Sequence, residues 1–167
     1  MMMEEFHQVR IAYMRRMGPY GPENKQLMER FKAYLRENGL WKEEIVLLGI
    51  ALDDPTCTPG DQQRYDVGCI VQEGCGIPLP QRLVADGPYA VFAVSHTQEA
   101  VQAFWRELPH KTAALPVDRT KPILERYRQK MVEGHLCEFC IPLLEEGEER
   151  LSVVPGQELP EKEPVGR

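Results

Sequence analysis

Two short apolar stretches carry the carboxylates best placed to do chemistry. Lys121-Pro122-Ile123-Leu124-Glu125-Arg126-Tyr127 and Leu136-Cys137-Glu138-Phe139-Cys140-Ile141-Pro142 both read as strands, joined by Arg128 to His135, most simply as a hairpin. Alternate side chains of a strand share a face. Ile123, Glu125 and Tyr127 therefore share one face of the first strand, and Leu136, Glu138 and Cys140 one face of the second. If Glu125 and Glu138 lie opposite each other, two carboxylates sit on one otherwise apolar surface, which costs stability. Either one or both face water, or the pair is kept as a cation site or an acid/base pair. Glu138, between Cys137 and Phe139, is the stronger candidate. Burial raises the pKa of such a group unless a cation or donor is near, which suits binding a lipophilic cation or general acid/base work. Glu125, beside Arg126, reads as part of a wetter strand.

Aromatic residues extend the candidate site. Tyr127, Trp105, Phe92, Tyr65 and Tyr13 could line a cavity, and an aromatic wall favours cations and flat rings. For each of them ordinary core packing is the competing explanation. Tyr127 stands out because alternation places it beside Glu125. Tyr65-Asp66 is the counterpart of Cys137-Glu138, with Asp66 alternatively an acceptor that holds the turn before it. Cys137-x-x-Cys140 has a metal-ligand spacing, but residues three apart on a strand point to opposite faces, and there is no second such pair. No metal and no cofactor is therefore expected. Glycine-rich dinucleotide and phosphate loops and a nucleophile elbow are absent from the sequence.

These residues need elements to position them. Val9 to Met14 reads as a strand, and Gly18-Pro19-Tyr20-Gly21-Pro22 as a turn. Leu27, Met28, Phe31, Tyr34 and Leu35 recur at helical spacing between Glu23 and Asn38, with Gly39 as the cap. Ile45 to Leu52 and Arg64 to Gln72 read as strands around turn-forming residues 53–61. The order then recurs. Tyr89 to His96 is a strand, Gln98 to Leu108 a helix closed by Pro109, and the two carboxylate strands complete the set. Strand-helix-strand-strand twice over predicts an α+β fold: duplicated βαββ units about a pseudo-twofold, forming two antiparallel sheets with helices and a ligand cleft between the halves. The domain is expected over 1–147, with halves over about 6–74 and 80–144. Residues 148–167 are acidic and Pro-rich and are expected to form a flexible tail.

Composition narrows the partners. The chain has 26 acidic against 20 basic residues, a formal net charge of -6. That balance argues against a large phosphate-binding surface, so no direct nucleic-acid binding is expected. No apolar run reaches the length of a membrane span, and the start lacks the basic-then-apolar order of a signal peptide. Five irregularly spaced cysteines suggest reduced thiols and a cytoplasmic location.

Three ordered stretches resemble the GyrI-like small-molecule-binding domains, which also serve as effector-binding domains of bacterial multidrug-sensing transcriptional regulators. They are Asp53-Asp54-Pro55 through Thr58-Pro59 to Arg64-Tyr65-Asp66; Gly87-Pro88-Tyr89-Ala90-Val91-Phe92 through His96; and Leu124-Glu125-Arg126-Tyr127 with Cys137-Glu138-Phe139-Cys140-Ile141-Pro142-Leu143. The resemblance implies a ligand cavity between the halves, faced by acidic residues matching Glu125 and Glu138 among aromatics. It implies a stand-alone protein that takes a hydrophobic, cationic or planar molecule. Two alternatives follow from the same resemblance: a hydrolase of cyclopropane-type or other strained electrophilic toxins using Glu138 as its catalytic group, or a gyrase-inhibitor-like interaction module. In the last case the partner would be a protein, DNA gyrase or a regulator, with the chain a monomer or homodimer. Cys140 stands where the family often has an aromatic, and no helix-turn-helix is read before Val9.

Overall fold

The computed structural model describes residues 1–146. The tail expected over 148–167 lies outside the described residues. The strands are β1 (Met2–Phe6), β2 (Arg10–Met17), β3 (Val46–Ala51), β4 (Arg64–Val71), β5 (Gln81–Leu83), β6 (Gly87–Ser95), β7 (Leu124–Arg128) and β8 (Leu136–Pro142). The helices are α1 (Pro22–Glu37), α2 (Gln98–Lys111) and the short α3 (Gln129–Glu133).

The helix ends follow from local chemistry. Pro22 opens α1, where a missing N–H costs nothing. Gly39 closes it at φ 67°. The N–H of Leu40 bonds Leu35 at 2.8 Å and that of Gly39 bonds Arg36 at 3.2 Å, which satisfies the last carbonyls. Thr97 caps α2 by accepting the Ala100 N–H at 3.1 Å. Pro109 does not end α2 as expected; the helix runs on to Lys111. The turn after the proline is held by Thr112, whose N–H and hydroxyl both donate to the Leu108 carbonyl, at 3.0 and 2.8 Å.

The strands form one curled antiparallel sheet rather than the two expected, in the order β1-β6-β8-β7-β3-β4-β2-β5. The joint between the two strand-helix-strand-strand series is the β3–β7 pair, where Leu47 faces Tyr127 and Gly49 faces Glu125. Main-chain pairing there continues the sheet across the middle of the molecule. Strands β1 and β5 extend the sheet at its two edges. Both are short, and neither was legible as a strand in the sequence.

The two faces of the sheet are covered differently. On one, Leu27, Phe31 and Leu35 of α1 pack on Leu47, Tyr65 and Val67. On the same face Phe104 of α2 packs on Ala90, Phe139 and Ile141, its ring stacked on Phe139 at 4.4 Å. The opposite face curls around a helix-free core of Phe6, Ile11, Leu48, Ile50, Tyr89 and Leu124. α1 and α2 thus cover the two ends of the outer face, and the strip between them runs along β3 and β7.

Candidate ligand cleft

Glu125 lies on that strip. Across the sheet its row reads Phe92, Phe139, Glu125, Gly49, Val67 and Met14, set by the pairing of β6, β8, β7, β3, β4 and β2. Gly49 matters because it is bare. A side-chain carbon there would collide with the Tyr65 hydroxyl and come within 3.4 Å of Glu125 Oε2. Its absence lets Tyr65 lean over the backbone and leaves the carboxylate room.

Glu125 is half-buried, and its one protein partner among the described residues is the Tyr127 hydroxyl, which donates to Oε2 at 2.7 Å. No Arg or Lys pairs with it among the described residues. Burial raises its pKa above the ordinary carboxylate range, and the Tyr127 bond only partly opposes that. Burial and the Glu125 charge together push both the Tyr65 and Tyr127 hydroxyls upward. The Tyr65 hydroxyl has no hydrogen-bond partner among the described residues.

Two chambers meet at this carboxylate. One, about 640 Å³, lies against the C-terminal half of α2 and is bordered by Trp105, Leu108, Tyr20, Asp53 and Asp118. The other, about 590 Å³, lies against α1 and the start of α2 and is bordered by Lys25, Lys32, His96, Gln98 and Tyr127. Asn24, Tyr65 and Glu125 border both. Trp105 is 39% exposed and packs edge-on against Phe139 at 5.1 Å, so its ring forms part of an open wall.

Residues 1–144 match the model of the GyrI-like small molecule binding domain. The chain belongs to this family. A curated relative, "SPbeta prophage-derived putative transcriptional regulator YosT" of Bacillus subtilis (strain 168), is 40% identical over 147 residues, which cover 84% of this chain and 96% of that one. Among solved structures, SAV2435 bound to tetraphenylphosphonium superposes with a TM-score of 0.60 at 14% identity, over 86% of this chain and 93% of that one. The EcmrR C-terminal domain superposes with a TM-score of 0.60 at 8% identity, over 84% and 94% of the two chains. Both likenesses concern the fold.

Within this GyrI-like domain Glu138 is not where the sequence reading put it. The hairpin pairs Arg126, not Glu125, with Glu138. A one-residue difference in register turns a side chain to the other face, so the two glutamates point away from each other. Glu138 lies on the inner, curled face. There Arg126, 3% exposed, donates to it from Nε at 2.9 Å and Nη2 at 3.1 Å. The same guanidinium donates to both oxygens of Glu4 at 2.8 Å, and Arg128 approaches Glu138 at 3.4 Å. Arg126 holds the Glu4 carboxyl below its usual range.

The other expected site residues divide. Glu125, Tyr127, Tyr65 and Trp105 come together at the cleft. Phe92 shares the outer face but packs against Phe104 at 5.7 Å, away from both chambers. Tyr13 sits on the inner face between the guanidiniums of Arg15 and Arg82, each 5.4 Å from its ring centre. Asp66 is fully buried on that inner face. It accepts from Arg15 at 2.6 and 3.0 Å and from Arg82 at 3.1 and 2.8 Å, so it ties β2, β4 and β5 together rather than holding a turn. Cys137 and Cys140 are buried on opposite faces, their thiols pushed up by burial to about 11 and about 12. Among the described residues no three His, Cys, Asp or Glu side chains gather as metal ligands, and no helix is long and apolar enough to cross a membrane.

Gly49 and the mouth residues Lys25 and Lys32 went unread in the sequence, where Arg126 signals only a wetter strand and His96 only a strand end. A lone glycine inside the apolar run 45–52 was the one available signal, since glycine within a strand marks a close approach.

Proposed function

We propose that this domain binds a hydrophobic cation in the cleft between α1 and α2, with Glu125 as the anchor. One observation carries the reading: a partly desolvated carboxylate on the floor of an aromatic-walled cleft, bonded by a single tyrosine and with no cationic partner among the described residues. A ligand cation would supply the missing charge. Tyr65, Tyr127 and Trp105 would supply ring faces and edges for cation–π and stacking contacts. The bound tetraphenylphosphonium of SAV2435, a protein of the same fold, supports this chemistry. Glu138 has no place in this site because its charge is already matched by Arg126.

The two βαββ series are read here as pseudo-twofold copies whose axis passes between β3 and β7. The strand order supports this, since β6-β8-β7 on one side mirrors β2-β4-β3 on the other. Asp66 on β4 and Glu138 on β8, both held by arginines on the inner face, fall on matching strands. The cleft would then lie on that axis, between equivalent helices.

The test is tetraphenylphosphonium titrated calorimetrically into the parent, Glu125→Gln and Glu138→Gln proteins. A charge pair about 5 Å apart at an effective dielectric near 20 is worth roughly 3 kcal/mol. Part of that replaces hydration of the cation, so Glu125→Gln is expected to weaken binding about 10- to 100-fold, and Glu138→Gln by less than about threefold. Equal binding by parent and Glu125→Gln would remove the anchor. A second reading rests on the raised Glu125 pKa: a protonated carboxyl could donate to a strained electrophilic ring. Mass spectrometry of cyclopropane-bearing electrophiles incubated with the parent protein and with Glu125→Gln would show product in the first alone if that reading holds.

A further inference from the structure

The two chambers differ in the charges around them. At the α1 mouth stand Lys25 and Lys32, with Glu29 exposed and 3.6 Å from Lys32, and Glu125 on the floor of the chamber. His96 lies at the same mouth; its pKa is lowered first by burial and then by the charges of Lys32 and Lys25. At the far mouth the charges balance: Asp53, Asp54 and Asp118 stand against Arg64, bound to Asp53 at 2.8 Å, Lys121, 3.6 Å from Asp118, and Arg119. Helix α2 runs along the cleft in the matching sense. Its first residues, Gln98 and Val101, border the chamber of the two lysines, and Leu108 and Pro109 border the other. A helix carries partial positive charge at its N-terminus and partial negative charge at its C-terminus. The field of α2 therefore adds to that of Lys25 and Lys32 at its N-terminal end, and at its C-terminal end it favours the cation by itself.

We propose that the cleft is polarised along its length and selects a dipolar ligand, a flat lipophilic cation that also carries an oxyanion such as a carboxylate. The cationic centre lies against Glu125 on the side of the chamber that Trp105 walls, and the oxyanion reaches Lys25 and Lys32. The inference rests on the Glu125 reading above and adds a second, anion-accepting subsite to it. Asn24, which borders both chambers, lies between the two subsites.

Two dyes that differ by one group make the test. Rhodamine B carries a carboxylate beside its cationic xanthene; its ethyl ester carries the cation alone. Fluorescence anisotropy titrations at neutral pH would compare both dyes, and tetraphenylphosphonium by calorimetry, on the parent, Lys25→Gln/Lys32→Gln and Glu125→Gln proteins. The carboxylate dye is expected to bind the parent about fivefold more tightly than its ester, the size of one partly exposed charge contact. That preference should vanish in the double lysine variant. The same variant should bind tetraphenylphosphonium no more weakly than the parent, because two repelling charges are gone. An ester that binds as well as the acid, a preference that survives the double substitution, or no binding of either dye would overturn the dipolar ligand. In the first two outcomes weaker binding by Glu125→Gln would leave the anchor standing. Equal binding of all three probes by Glu125→Gln would overturn the anchor itself.

Discussion

Removing the Glu125 charge should stabilise the protein at neutral pH. The carboxylate is partly desolvated and held by one hydroxyl. Its folded pKa lies above its unfolded value, so what it adds to stability is fully present below the unfolded pKa and is lost as pH rises through the folded pKa. Glu125→Gln keeps an oxygen for the Tyr127 hydroxyl and removes the charge. Burying a polar group without full compensation costs about 1–3 kcal/mol in proteins. For a chain of this size each kcal/mol moves the melting temperature by roughly 2–4 °C. Scanning calorimetry from about pH 3 to about pH 8, below and above the ordinary carboxylate range, should show the variant melting higher than the parent at the alkaline end. The two curves should converge toward the acid end. At one ligand concentration tetraphenylphosphonium should then raise the parent's melting temperature more than the variant's, since the tighter binder to the folded state gains more stability. A parent that melts above Glu125→Gln at the alkaline end, by a margin that grows with pH, would refute the reasoning. It would mean that the carboxylate already has a charge partner.

Glu138→Gln should have the opposite sign. It weakens two of the four charge-assisted bonds of a buried guanidinium, and the urea midpoint at neutral pH should fall by the equivalent of about 1.5–3 kcal/mol. Gly49→Ala should cost about 1–3 kcal/mol as the new methyl drives the Tyr65 ring toward the cleft, and should weaken cation binding with it. Adding Tyr65→Phe should recover part of the stability, because the atom in the way is the hydroxyl; a double-mutant cycle in denaturant with no coupling would contradict that account.

The elements that could be read from the sequence were those with a strong period. The α1 stripe of Leu27, Phe31 and Leu35 and its Gly39 cap fell where expected, as did the β7–β8 hairpin. The edge strands β1 and β5 were missed for a physical reason. Met2 and Met3 are exposed, and Gln81-Arg82-Leu83 has no apolar alternation, so main-chain pairing to β6 and β2 makes these strands rather than side-chain pattern. Pro109 reads in the sequence as the end of α2, yet one missing N–H is a small loss in a last turn where Thr112 bonds the Leu108 carbonyl twice. One sheet or two was also beyond the sequence. The outcome turns on β3 and β7 pairing across the middle, a contact between residues far apart in the chain.

The site was half legible, and what failed was register. Sequence alternation says which residues of one strand share a face, but not how two strands slide against each other. The connection between β7 and β8 contains the helical turn α3 and His135 at a positive φ of 58°, and together these set Arg126 opposite Glu138. That single step decides the roles of both acids. On the inner face Glu138, like Glu4 and Asp66, is matched to arginines; such clusters fix the curl of the sheet and leave no charge for a ligand. On the outer face Glu125 meets Gly49, Phe139 and two tyrosines and is left without a cation among the described residues. In the sequence Arg126 beside Glu125 suggested a wet strand. In the fold that arginine points through the sheet to serve Glu138, and its departure is what leaves Glu125 open to a ligand.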